Sequence, residues 1–187
     1  MSWCNRSACL VVVLASALLS HGCGYALAGK GNFLPDYIRT IGIPAFTNQT
    51  SYFDIAQIVT DKVRTEFIGR GNYKIVPEAT GADAVLTGVI TGISIVPTAF
   101  GSQQQASRYV IMMIANIELR DTQKDTVLWS NPAVVVRDEY DATGGAVSSD
   151  PTAFVDPSSF FNQESNAVVR VTNEFARTTV SAILEAF

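Results

Sequence analysis

Histidine and cysteine are scarce in this 187-residue chain: one histidine and three cysteines. All four stand in its first 23 positions, as Cys4, Cys9, His21 and Cys23. Past that point a Ser-His-Asp triad, a Cys-His pair or a histidine-bound zinc lacks a required side chain, and no thiol remains for a disulfide. Positive charge is short as well, 13 Lys and Arg against 17 Asp and Glu. Nucleic acid needs a concentrated basic surface, so no nucleic-acid partner is expected. Charged residues make up 16% and hydrophobic ones 48%, which argues against both disorder and a polytopic membrane protein. A Gly-rich phosphate loop is missing too; Gly144-Gly145 lies in a Ser/Asp/Pro-rich stretch and reads as a flexible turn. The acidic residues Asp138, Glu139 and Asp141 cluster around Tyr140. On an extended strand Asp138 and Glu139 face opposite sides, so they read as a solvated strand end. Neither an enzyme nor a metal or cofactor site is expected.

What is present begins with an export pattern. The amino terminus and Arg6 give a weak positive start, residues 8–19 are apolar apart from Ser16, and small residues lead into Cys23. A membrane-spanning helix needs about 20 apolar residues, and Ser20-His21-Gly22 ends the run short of that. Leu19-Ser20-His21-Gly22-Cys23 fits a lipobox, with leucine one place early and a bulky His21. The expectation is a lipoprotein signal peptide over residues 1–22, with N-acyl and S-diacylglycerol groups on Cys23. Residues 23–32 would act as a Gly-rich tether, and residues 23–187 as one periplasmic domain. A plain signal peptide with a cysteine nearby by chance is the alternative.

Along the mature chain, residues 38–46 alternate at Ile41 and Ile43 and read as a strand, its Pro44 favouring an edge or a bulge. A helix is predicted over 54–69 from the stripe Ile55, Ile58, Val59, Val63 and Phe67, stopped by Gly69 and Gly71. A short strand at 73–76 completes a β-α-β-like beginning. Three long extended segments follow, 84–96, 107–120 and 126–140, with connections short enough for antiparallel neighbours. After a polar loop at 142–159, a final helix is predicted over 162–185. Val168, Val171, Phe175, Thr179, Ile183 and Phe187 share one face of it, and Arg170, Glu174, Arg177 and Glu185 the other. The expected fold is α+β: a two-layer sandwich of a mostly antiparallel four-stranded sheet, plus a possible short extra strand, with two helices on one face.

Two helices cover only one face of such a sheet, and the other should then be polar. It is not. Opposite Tyr109, Ile111, Met113, Ala115, Ile117 and Leu119 stand Val110, Met112 and Ile114, before Asn116, Glu118 and Arg120. The preceding strand shows the same excess, with Val85, Val89, Ile93 and Ile95 against Leu86, Ile90 and Val96. Either the 142–159 loop folds back over this face, or Val110, Met112 and Ile114 meet a partner protein or lipid chains.

The residues match a known pattern. Cys23-Gly24-Tyr25 with Leu27, Leu34-Pro35, Ile41-Gly42-Ile43-Pro44 and Ala45-Phe46-Thr47-Asn48-Gln49-Thr50 come in order. Asp83-Ala84-Val85-Leu86-Thr87-Gly88-Val89-Ile90, Arg108-Tyr109, Val127-Leu128-Trp129, Glu139-Tyr140 and Phe175-Ala176 follow. In order and spacing the mature chain resembles the LptE family of LPS-assembly lipoproteins. The resemblance implies an outer-membrane lipoprotein on the periplasmic side, held in the inner leaflet by its lipid. It also implies 1:1 association with the large β-barrel LptD, as a plug of the translocon that places lipopolysaccharide in the outer leaflet. Gly24 after the cysteine suits outer-membrane sorting. Direct lipopolysaccharide binding through basic residues near strand-connecting loops is implied as well. Here the loops 98–106 and 142–159 carry no basic residue, so Arg108 and Lys124 are the nearest candidates, solvated surface charge being the alternative. Two other functions compete: a lipoprotein forming its own oligomeric secretion pore, and a periplasmic activator of a cell-wall synthase. Against the pore, transmembrane strands should be polar on one face, and 84–96 and 109–114 are apolar on both.

Overall fold

The computed structural model describes residues 34–70, 72–100, 106–141 and 155–186. The predicted signal peptide, Cys23, the tether and most of the 142–159 loop lie outside the described residues. Among the described residues nine elements follow in order: β1 (Thr40–Gly42), β2 (Thr47–Asn48), α1 (Ile55–Arg70), β3 (Lys74–Val76), β4 (Ala84–Phe100), β5 (Ala106–Asp121), β6 (Thr126–Asp141), α2 (Pro157–Gln163) and α3 (Ser165–Leu184). They build an α+β domain on one sheet ordered β3-β1-β4-β5-β6, with β2 also bonded to β4.

The sheet is mixed and six-stranded rather than mostly antiparallel and four-stranded. β4, β5 and β6 form the expected antiparallel meander. β1 runs parallel to β3 and to β4, and β2 parallel to β4. A parallel pair needs a crossover, and α1 supplies it between β1 and β3. The single strand expected over 38–46 breaks around Pro44, which has no N–H to give a ladder. Both halves still pair with β4, at Gly42↔Val85 and at Thr47↔Val89, with one residue more on their side than on β4. β1 is therefore interior, and β3 takes the edge.

The helices follow their stripes. Ile55, Val59, Val63 and Phe67 of α1 are fully buried, while Ile58 is half-exposed. Asn48 shapes the entry: its Oδ1 accepts from the Thr50 N–H at 2.8 Å and its Nδ2 donates to the Tyr52 carbonyl at 2.8 Å. The final helix is two helices, not one. Asp156 caps α2 by accepting from the Ser159 N–H at 2.9 Å. Glu164 then breaks the run at φ −114° and ψ 63°, where its carboxylate accepts the buried Tyr140 hydroxyl at 2.9 Å. Beyond it Val168, Val171, Phe175, Thr179 and Ile183 are buried as predicted; Phe187 lies outside the described residues. The layer is sealed by Tyr109 against Phe160, ring centroids 4.8 Å apart, and by Tyr52 against Phe161 at 5.0 Å. Each such side chain contributes roughly 1.5–3 kcal/mol by leaving water.

One irregularity re-sorts β4. The register steps from Ile90↔Ala115 to Gly92↔Ile114, two residues on β4 against one on β5, so Thr91 is the extra residue of a bulge. A one-residue slip turns the following side chains over, here as far as Pro97, where the register shifts again. Ile93 and Ile95 therefore stand opposite Met113 and Ile111 on the helix-covered side, together with Leu86 and Ile90. Strict alternation had put Ile93 and Ile95 on the other face with Val85 and Val89, and half of that strand's apparent apolar excess disappears.

Candidate functional site

The apolar excess on β5 remains after this correction. Directly paired residues share a face, so the ladder lists the open face row by row. From one end the rows read Val96–Val110–Glu139, Ser94–Met112–Arg137 and Gly92–Ile114–Val135. Farther along come Val89–Asn116, then Thr87–Glu118–Ser130 and Val85–Arg120–Val127. The first three rows are the richer in large apolar side chains, five with Ser94, Arg137 and Glu139 beside them; the others mix Val85, Val89 and Val127 with five polar residues. Val96 is 41% and Val135 46% exposed, and Val110, Met112 and Ile114 between them are half-buried. The structure brings these three predicted residues together and adds Val96 and Val135. Val135 left no distinct signal in the sequence, because Val134-Val135-Val136 is apolar on both sides and only the register shows which valine faces out.

The described end of the 142–159 loop does not lie on this face. Phe160, just beyond it, packs on Tyr109 and on Tyr140, both buried on the helix side.

The two predicted cations lie apart. Arg108 opens β5 and pairs across the ladder with Asp141, Nε to Oδ1 at 2.7 Å. That hydrogen bond, with the carboxylate's charge, raises the Arg108 pKa above its ordinary value. Lys124 sits in the β5–β6 turn, its ammonium 4.4 Å from the centre of the Tyr37 ring. Tyr37's hydroxyl holds the Lys124 pKa up, and the nearby Asp121 adds to it. At about 3.4 Å per residue, β5 puts the two cations roughly 40 Å apart, too far for one ligand group.

Around Lys124 the turn end is tied to the backbone. The Tyr37 hydroxyl donates to Asp121, whose other oxygen accepts the N–H groups of Gln123 at 2.8 Å and Lys124 at 3.1 Å. Asp83 accepts the N–H groups of Arg39 at 3.0 Å and Thr40 at 2.8 Å, and Gln123 Nε2 at 3.0 Å. Tyr37's hydrogen bond is the first cause that lowers the Asp121 pKa, and the Arg39 N–H the first that lowers that of Asp83. These carboxylates serve structure and are committed to it. Among the described residues, no three His, Cys, Asp or Glu side chains gather as a metal site, and no helix is long and apolar enough to cross a membrane.

These features define the class: a single-sheet α+β domain whose helices cover one face and whose other, partly apolar face, covered by no described helix, is its candidate working surface. Residues 38–183 match the family model LptE, described as Lipopolysaccharide-assembly. That match spans most of the chain, and the chain belongs to this family; at that level its role is in lipopolysaccharide assembly. No curated protein matches the sequence. Similar solved structures include lipoprotein GNA1162 from Neisseria meningitidis, at 16% identity and TM-score 0.42 over 71% of this chain and 96% of that one. Rare lipoprotein B from Shewanella oneidensis aligns at 14% identity and TM-score 0.39 over 79% and 92%. A minor lipoprotein from Acinetobacter baumannii aligns at 7% identity and TM-score 0.44 over 80% and 94%.

Proposed function

We propose that this chain is an outer-membrane lipoprotein, anchored in the inner leaflet by acyl chains on Cys23, that plugs an LptD-type β-barrel. It assists assembly of the barrel and works with it, 1:1, to place lipopolysaccharide in the outer leaflet. The role is non-catalytic. The observation that carries this reading is the apolar cluster on the open face, Val96, Val110, Met112, Ile114 and Val135, on a chain of the LptE family. Water-facing sheet surface is ordinarily polar, and a plug must meet barrel wall. Arg108 stands two residues before Val110, at the same end of β5, and is the first candidate for a lipopolysaccharide phosphate. Lys124, at the other end, is a second and separate candidate.

The test is mild-detergent purification of the tagged protein from its native envelope. A single large β-barrel at 1:1 is the expected companion. A ring of this protein alone would replace the plug by a secretion pore, and a cell-wall synthase would replace it by an activator. Cys23→Ala is expected to abolish acylation and release a soluble periplasmic species. Its complete recovery in the membrane fraction would mean that Cys23 is not the main anchor.

A further inference from the structure

The polar face of α3 carries Arg170, Asn173, Glu174 and Arg177 at spacings of three and four, so the four stand on one side of the helix. α3 packs along β6, the last strand of the sheet, and there this face meets Arg137 and Asp138. The six side chains line an open groove of about 370 Å³.

The groove has a fixed wall. Arg170 grips Asp138 with Nε to Oδ2 at 3.1 Å and Nη2 to Oδ1 at 2.9 Å, and Nη2 also donates to the Glu139 carbonyl at 3.0 Å. It also has an excess of positive charge, three guanidiniums against the carboxylates of Asp138 and Glu174. Among the described arginines, Arg64, Arg70, Arg108, Arg120 and Arg170 make side-chain hydrogen bonds or ion pairs. The side chains of Arg39, Arg137 and Arg177 have no such partner among the described residues, and two of these three share this groove. Glu174 does not satisfy them; it accepts from the Thr178 hydroxyl at 3.4 Å. Arg137 comes from the open-face side of β6, opposite Met112, and Arg177 from the helix, so the groove is flanked from both layers.

The geometry points to a binding site for a phosphomonoester group, held between the guanidiniums of Arg137 and Arg177 with the clamped Arg170 as its wall. A guanidinium fork matches two phosphate oxygens at once, and the two unpaired guanidiniums outweigh the one remaining carboxylate of the groove, Glu174. Asn173 adds an amide donor on the same face. A soluble phosphate and a lipid headgroup present the same terminal oxygens. The site is distinct from Arg108 and Lys124, and it stands whether or not the barrel is the partner. Its rival is the ordinary use of charge to keep an edge strand from pairing.

The test follows the arginine Nε–H signals of the full-length protein in detergent by NMR during two titrations. One uses inorganic phosphate and the other dioctanoyl phosphatidic acid, a lipid phosphomonoester. The Arg137 and Arg177 signals are expected to move together and saturate. Arg137→Gln with Arg177→Gln should weaken binding about tenfold or more, while Arg39→Gln, at an arginine outside the groove, leaves it unchanged. Saturation by phosphate alone supports the site with a soluble ligand, and saturation by the lipid alone supports it with a headgroup. Absence of saturable shifts with both probes overturns the site, as does binding that survives the double variant. Arg137→Lys with Arg177→Lys keeps the charge but loses the fork, so intermediate binding with an unchanged circular dichroism spectrum separates lost recognition from lost fold.

Discussion

Met113 and Met112 are neighbours in sequence with opposite surroundings. Met113 is fully buried beneath the helices in a row of residues with no exposure, from Tyr109 to Leu119. Met112 looks out with Val110 and Ile114 onto a face that no described helix covers. The odd side of β5 is explained wholly by core packing. Its even side is not, since a sheet that only had to be stable would put polar residues there. The contrast separates side chains that hold the fold from those available for contact, along one strand and at the same depth in the sheet.

Removing a side chain from the odd row should cost most. Ile111→Ala is expected to destabilise by about 2–5 kcal/mol through lost transfer energy and a residual cavity, read as a lower urea midpoint with unchanged slope. Gly88→Ala probes the same layer from the opposite direction. An added Cβ would stand 2.6 Å from the Phe46 ring, an overpacking expected to cost about 1–3 kcal/mol. A measurable loss smaller than that of Ile111→Ala in the same denaturation series would bear this out, and an unchanged midpoint would refute it.

Acid should loosen the turn end before the core. Asp83 and Asp121 both hold pKa values below the ordinary carboxylate, so the unfolded chain takes up their protons first. Their stabilisation is full above the unfolded carboxylate value, about 4, and is lost as pH falls through the lower folded values. Asp121→Asn should flatten the acid side of a plot of urea midpoint against pH. A profile that stays as steep would assign the acid sensitivity to other groups.

On the even side the expectation reverses. Val96→Asp with Val135→Asp should change stability by only about 0.5–1 kcal/mol, because both are already exposed. Recovery of the barrel in the purification should fall sharply. Unimpaired recovery would remove this patch from the partner interface. The smallest effect is expected from Arg108→Gln, since an exposed ion pair such as Arg108–Asp141 is screened by water; a clear fall in urea midpoint would show that the pair does more than decorate the strand ends.

Much of the fold was legible because its elements are long and strongly patterned. The stripe of Ile55, Val59, Val63 and Phe67 placed α1 within a residue of its ends, and the three long strands agree with their predicted spans to within a few residues. The errors fall where one residue changes the local geometry. Pro44 divides one predicted strand into β1 and β2, Thr91 reverses the faces of β4 beyond it, and Glu164 leaves the helix to meet Tyr140. None of the three carries a period; Pro44 was legible as an edge or bulge signal but not as a division, and Thr91 and Glu164 gave no pattern signal at all. The candidate surface was half legible. Val110, Met112 and Ile114 stood out as apolar residues on a side that should be wet. Val96 and Val135 joined them only through the register.

The sequence by itself determined the class of elements, the confinement of histidine and cysteine to the first 23 positions, and the excess of apolar residues on β5. Periodicity and composition are local properties, and they survive without knowledge of neighbours. The tertiary structure alone decided which strands are parallel, which face of β4 lies under the helices, and that Arg137 and Arg177 meet in one groove 40 positions apart. Those outcomes depend on bulges and on pairing between distant segments, where a shift of one residue exchanges the inside of a sheet for its outside.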